Sequence, residues 1–198
     1  MKNPRRIAKI ARKTKETDIS VEINLDGSGK SSVSTGIPFM DHMLELFAKH
    51  GFFDLKVSAV GDLQVDCHHT IEDLGLVIGD AIAKAAGEKK GIRRYGWCVL
   101  PMDEALAMVS LDLSGRPYLV YDLVPPAAKV KDIDTRLFHE FFQALSVKSG
   151  LNLHIILLKG AEAHHVFEAV FKSFAKALDQ ALSHDIRISG VLSTKGIL

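Results

Sequence analysis

The stretch Val21–Val33, VEINLDGSGKSSV, returns in altered form as Ala107–Leu119, AMVSLDLSGRPYL. In each, an alternating apolar run enters an Asp-x-Ser-Gly-basic turn and then a second short run, a pattern that predicts a β-hairpin. Working outward, each copy is followed by an apolar helical stretch holding one histidine: FMDHMLELF around His42 and LFHEFFQAL around His139. A glycine and an alternating strand come next, Phe53–Ala59 in one case and Leu151–Leu157 in the other. Each copy then enters a long helix that opens on paired histidines, His68-His69 and His164-His165. His139 lies 97 positions after His42, while His164 and His165 lie 96 after His68 and His69. A near-constant shift across different motif types predicts an internal duplication of a β-β-α-β-α unit. The predicted class is α+β, with helices layered against mixed sheets and no βαβ alternation. The halves, residues 1–95 and 96–198, are expected to share one compact domain.

The long helices carry apolar residues at helical spacing: Ile71, Leu74, Ile78, Ile82 and Ala85 in the first, Phe167, Val170, Phe171, Phe174, Leu178 and Leu182 in the second. Such stripes are core. Gly87 and Gly91 are placed to end the first helix. Pro125-Pro126 and the charged run Lys129–Arg136 read as the longest loop. With 47% hydrophobic and 25% charged residues, the composition is that of a globular protein, and no run reaches the ~18 apolar residues of a membrane span. A net charge of +1 gives no basic field for nucleic acid. Two cysteines, Cys67 and Cys98, are too few for a disulfide framework, and a reducing cytoplasm is the expected compartment.

In His68-His69-x-x-Glu72 the first histidine and the glutamate share a helix face, and His69 is turned ~100° away. One motif can therefore serve two metals. Six histidines (His42, His68, His69, His139, His164, His165) and two glutamates (Glu72, Glu168) divide into two sets of three imidazoles and one carboxylate. Donors without thiolate disfavour a closed structural zinc site. Mixed nitrogen and oxygen ligation suits Mn²⁺. His154 and His184 have no duplicated partner and read as ordinary, whereas His50 could line a site. GSGKSS at 27–32 is rejected as a phosphate loop because GxxxxGK[ST] would need a glycine where Asn24 stands. Cys67 reads as an inert thiol. Met102-Asp103-Glu104 supplies either catalytic acids or a solvated turn, and spacing does not decide. Arg93-Arg94, Arg116, Lys172 and the stretch Ser193-Thr194-Lys195-Gly196 are candidate anion donors.

The blocks GIPFMDHMLELFAKHGFFDL, DCHHTIEDLGLVIGDAI, GIRRYG, LSGRPYLVYD, EAHHVFEAVFKSFAKAL and STKG together resemble the imidazoleglycerol-phosphate dehydratase family of histidine biosynthesis. The resemblance runs collinearly from about Thr14 to the C-terminus. It implies a fold like domain 2 of ribosomal protein S5 and a hydro-lyase converting imidazole glycerol phosphate to imidazole acetol phosphate. It also implies two Mn²⁺ per active site and a large homo-oligomer of on the order of 24 copies, with sites between subunits. Carried onto this chain, one metal takes His68, Glu72, His139 and His164, and the other takes His42, His69, His165 and Glu168. The resemblance assigns catalysis to Glu16, as the acid/base, with His68, Glu72, His164 and Glu168. Substrate contacts extend to His42, His50, His69, Arg94, Arg116, Lys172, Ser193 and Lys195. No carbonyl acidifies the substrate's reacting C–H. An imidazole ring held as imidazolate between two metals could instead expel the hydroxyl. A di-metal hydrolase of a phosphate ester would need ions ~3.5–4 Å apart, and no obvious bridging aspartate is present. A metal-stapled scaffold would need no open coordination position.

Overall fold

A computed structural model describes residues 6–198. The first half runs β1 (Ile7–Lys13), β2 (Thr17–Asn24), β3 (Ser31–Ser34), α1 (Pro38–Gly51), β4 (Asp54–Gly61) and α2 (His68–Ala86). The second runs β5 (Tyr95–Met102), β6 (Ala105–Asp112), β7 (Tyr118–Asp122), β8 (Lys129–Val130), β9 (Ile133–Asp134), α3 (Leu137–Ser149), β10 (Asn152–Lys159) and α4 (Ala163–Leu182). The class is α+β, but each repeat carries one more leading strand than the sequence predicts.

The two four-stranded sheets have matching orders, β1-β2-β4-β3 and β5-β6-β10-β7. The predicted hairpins are therefore corrected. β2 and β3 do not pair; β4 lies between them, antiparallel to β2 and parallel to β3. β10 separates β6 from β7 in the same way. The Asp-x-Ser-Gly turns let the chain cross over a neighbour that has yet to be laid down. The expectation of no βαβ alternation fails at the same place, because β3-α1-β4 and β7-α3-β10 each join parallel neighbours across a helix. The charged run around Lys129–Arg136 is not a plain loop. Residues 129–134 form the small β8–β9 hairpin, with Lys131 at φ 51°.

Alternation decides which sheet face is covered. Ile19, Val21 and Ile23 of β2 and Leu55, Val57 and Ala59 of β4 point inward, as do Ala107, Val109 and Leu111 of β6 and Leu153 and Ile155 of β10. α2 packs on β1 and β2, and α4 on β5 and β6. The halves meet through their helices, α2 against α3 and α1 against α4. Leu44, Phe47, Ile78, Phe141, Leu145, Phe171 and Phe174, drawn from all four helices, close round one point of the core. Phe138 stacks on Phe167 with centroids 3.9 Å apart. Truncating one such ring to alanine typically costs ~3–5 kcal/mol.

All four helices run the same way. Phe39 and His42 of α1 meet His164 and Glu168 of α4, and Phe47 meets Phe174 one layer deeper. Phe138 and Phe142 of α3 meet Phe167 and Phe174 in the same order. On α2, a Cβ at Gly75 would lie 2.4 Å from the Phe141 carbonyl, and one at Gly79 2.7 Å from that of Leu145. Glycine is what allows this backbone approach. The consequence for the site is direct: four helix N-termini, each carrying histidine, share one end of the molecule.

Candidate active site

Local chemistry sets where each helix begins. Pro38 opens α1 with its φ already helical, and Asp41 accepts hydrogen bonds from the Thr35 amide at 2.8 Å and the Thr35 hydroxyl at 2.5 Å. Glu162 caps α4 by accepting from the His165 amide at 3.0 Å. Asp66 accepts from the His68 amide at 2.7 Å at the start of α2. Helix starts also carry the positive end of the backbone dipole, which favours ionised carboxylates there.

His42, His164 and Glu168 converge. Both His42 Nε2 and His164 Nε2 lie 2.9 Å from Glu168 Oε1, and the three donor atoms fall within 4.8 Å of one another. Donors ~2.1 Å from a common cation and at right angles to each other stand about 3 Å apart, so this set fits a divalent metal, although within one chain it joins His164 of one expected donor set to His42 and Glu168 of the other. Glu168 is 7% exposed. Burial by itself would raise its carboxyl, but hydrogen bonds from Lys172, His42 and His164 hold it at about 2. His165 points elsewhere: its Nδ1 is 2.7 Å from Glu104 Oε2. That bond raises the imidazole above its ordinary value and holds Glu104 at about 2.

The other donors gather on α2 and α3 without closing into one group. His68 Nε2 stands 3.5 Å from Glu72 Oε2, and His139 Nδ1 stands 3.1 Å from Glu140 Oε1. His69 Nδ1 is 3.0 Å from Asp62 Oδ2, a contact that raises its basicity. Glu16 sits in the β1–β2 turn beside this group. Its amide donates to Thr14 Oγ1 at 3.1 Å, and its carbonyl accepts from the Asp62 amide at 3.0 Å. Next to it, Thr17 and Arg12 both donate to the carboxylate of Asp73 on α2, clamping the turn to the histidine helix.

The anion candidates divide. Arg94, Arg116, Ser193 and Lys195 line one cavity of about 760 Å³, joined there by Arg187. The Arg94 guanidinium is engaged by Asp112, at 2.7 and 2.9 Å, and by the Leu192 carbonyl at 2.7 Å. It therefore anchors the terminal segment, while Arg116, Arg187 and Lys195 supply charge. This cavity lies at the far end of α4, since the Arg94 amide donates to the Ala181 carbonyl. From His164 to Ala181 is seventeen residues, or ~26 Å of helix. Lys172 lies instead with the His42, His164 and Glu168 group, paired to Glu168. His50 is eight residues beyond His42 on α1, ~12 Å along it, and burial with Lys172 and Lys176 lowers its basicity.

Other sequence readings resolve simply. In the 27–32 turn, the Ser28 and Lys30 amides donate to Asp54 Oδ1 at 2.8 and 3.2 Å, so the chain's own carboxylate fills the space a phosphate would need. Cys67 is half-buried, and burial with Asp66 and Asp132 raises its thiol. Sequence reasoning missed Asp62, Asp73 and Tyr121, whose buried hydroxyl has no partner among the described residues and whose ring meets His139 edge-on at 5.3 Å. It also missed the β8–β9 hairpin, which puts Lys131, Asp132 and Ile133 beside His42 and His164. Asp62, at the exit of β4 seven residues before His69, carried the one usable sequence signal.

Fold and site define a duplicated α+β protein that groups imidazoles and carboxylates at the starts of parallel helices. The chain belongs to the imidazoleglycerol-phosphate dehydratase family, whose model matches residues 35–178. It is 58% identical over 189 residues to the imidazoleglycerol-phosphate dehydratase of Acetivibrio thermocellus, covering 96% of this chain and 97% of the relative. The enzyme of that name from Caldanaerobacter subterraneus is 57% identical over 193 residues, with 98% and 100% covered. Among solved structures, imidazoleglycerol-phosphate dehydratase from Staphylococcus aureus superposes with a TM-score of 0.82 at 39% identity, covering 90% of this chain and 99% of that one. The Pyrococcus furiosus structure gives 0.83 at 36%, covering 96% and 100%.

Proposed function

We propose that this chain is a hydro-lyase of histidine biosynthesis that removes water from imidazole glycerol phosphate to give imidazole acetol phosphate. It does so with Mn²⁺ held by its histidines and glutamates, in sites assembled between copies of the chain. The observation that carries the reading is the convergence of His42, His164 and Glu168 in a chain matched over nearly its whole length by named dehydratases. No relative reported above carries a hydrolase or scaffold name, which leaves those alternatives without support.

The second part of the proposal rests on distance. A three-carbon phosphate ester carrying one imidazole is on the order of 10 Å long at ~1.5 Å per bond. The donors at the head of α4 and the basic cavity at its foot are ~26 Å apart in one chain. A second copy that brings its cavity to the first copy's donors resolves the mismatch and supports a site shared between copies; the size of the assembly, on the order of 24 copies, is proposed from the family resemblance alone. No helix among the described residues is long and apolar enough to cross a membrane. The free thiols of Cys67 and Cys98 support a reducing, cytoplasmic setting.

Each residue then has a task. Arg116 and Lys195 hold the phosphate and fix the diol, a positioning effect. Lys172 keeps Glu168 ionised and aimed at His42 and His164. Metal ions, when bound, supply Lewis acidity to the ring nitrogens and so favour loss of the hydroxyl from the carbon attached to the ring. Glu16, an exposed carboxylate on a turn clamped to α2, moves the proton between ring and side chain. The test is Mn²⁺ analysis of purified protein with a dehydration assay on imidazole glycerol phosphate. Protein that binds Mn²⁺ stoichiometrically without forming the ketone would overturn the reading.

A further inference from the structure

Strand pairing reveals an equivalence between the halves that motif spacing hides. Glu16 immediately precedes β2 and Glu104 immediately precedes β6, each in the turn leaving an edge strand, β1 or β5. β2 and β6 occupy the same place in their sheets. Asn24 pairs with Asp54 and Asp112 with the matching Asn152, so the sheets align at a shift of 88 positions (Asn24 to Asp112), two more than the 86 (Asp26 to Asp112) of the Asp-x-Ser-Gly motifs. At that shift Glu16 and Glu104 take the same place in their turns, one before His69 and the other before His165.

Besides the Asp103 and Glu162 carboxylates 3.8 and 4.0 Å from His165 Nε2, their surroundings differ in what holds Nδ1. In the first half, His69 Nδ1 is held by Asp62, which follows β4. In the second, the corresponding exit from β10 is Gly160-Ala161, with no acid. A Cβ at Gly160 would lie 2.4 Å from Val166 Cγ2, so a side chain there would force the buried Val166 to move. There the turn glutamate does the holding: Glu104 takes His165 Nδ1 at 2.7 Å, and the Ala161 and Glu162 amides fix its other oxygen at 3.3 and 2.9 Å. A carboxylate on Nδ1 sets the imidazole tautomer and ring plane, leaving Nε2 to face a metal.

We infer that Asp62 and Glu104 are positioning residues that commit His69 and His165 to metal binding through Nε2, and that Asp62 thereby frees Glu16, alone of the two equivalent turn glutamates, for proton transfer. The inference rests on the metal-dependent reading above. It predicts opposite behaviour for two glutamates that the duplication made alike.

The experiment titrates Mn²⁺ into metal-stripped full-length protein, following free Mn²⁺ by electron paramagnetic resonance, for wild type, Glu104→Gln, Asp62→Asn and Glu16→Gln. Glu104→Gln and Asp62→Asn are expected to bind Mn²⁺ ~10–100-fold more weakly. Their metal-free melting temperatures should stay near wild type, and their turnover should recover as Mn²⁺ is raised to saturation. Glu16→Gln is expected to bind Mn²⁺ as wild type does and to stay inactive at any Mn²⁺ concentration. Wild-type affinity in both Glu104→Gln and Asp62→Asn overturns the positioning roles while leaving the metal reading intact. Turnover in Glu104→Gln that saturating Mn²⁺ fails to restore overturns the division of labour. Failure of the wild type itself to take up Mn²⁺ overturns both this inference and the reading beneath it.

Discussion

Replacing Glu168 with glutamine keeps the shape of the side chain and removes its charge from a nearly buried position. The carboxylate accepts from His42, His164 and Lys172, and its pKa falls from an ordinary 4.5 to about 2. At ~1.36 kcal/mol per unit, that depression represents on the order of 3 kcal/mol of stability. Breaking a buried pair by removing one partner costs a similar ~3–5 kcal/mol, because Lys172 is left without its counter-charge. The folded-state pKa is depressed, so the contribution is complete above about 4.5 and disappears as pH falls towards about 2. Urea unfolding of chelator-treated protein, at one fixed protein concentration, measures this directly. Glu168→Gln should be ~3 kcal/mol less stable than wild type at neutral pH, with the gap closing below pH 4. A neutral-pH loss under ~1 kcal/mol, or a gap that persists in acid, would refute the view that Glu168 is held ionised by its three partners.

Further outcomes follow from the same geometry. His68→Ala and His164→Ala should each lose Mn²⁺ and turnover and weaken assembly; full metal content with activity in either would remove that residue from the donor set. Glu16→Gln should reduce turnover by ~10²–10⁴ while keeping metal content, and an unchanged rate would exclude Glu16 as the proton carrier. Gly75→Ala drives a methyl towards the Phe141 carbonyl, which should cost ~1–3 kcal/mol and lower the melting temperature. Removal of metal by a chelator should split large assemblies into smaller ones by light scattering, and an unmoved mass would show that metal does not hold the copies together.

Much of this was legible in the sequence because it is local. Helix starts, the paired histidines and the apolar stripes of α2 and α4 depend on residues a few positions apart. Strand order is not local. Alternation in Thr17–Asn24 shows which face is buried but not that β4, rather than β3, lies alongside, so a hairpin was the natural and mistaken reading. β1 escaped notice because it is an edge strand, basic and mostly exposed. β5 escaped because its apolar residues fall on both faces, Trp97 and Val99 outward, with Pro101 tolerated at the sheet edge. The kinship of Glu16 and Glu104 depends on β1 and β5, whose sequences do not announce a strand. The histidine and glutamate motifs and the basic clusters are both local in sequence, but their separation along α4 emerges only once helix direction and the Arg94–Ala181 contact are known.

Complementation tests that separation most directly. Co-expressed His42→Asn, which damages only the metal donors, and Arg116→Ala, which damages only the basic cavity, should each be inactive alone. Mixed assemblies should recover about a quarter of wild-type turnover if each site draws its donors from one copy and its cavity from another. Mixed assemblies as inactive as their parents would contradict the shared site.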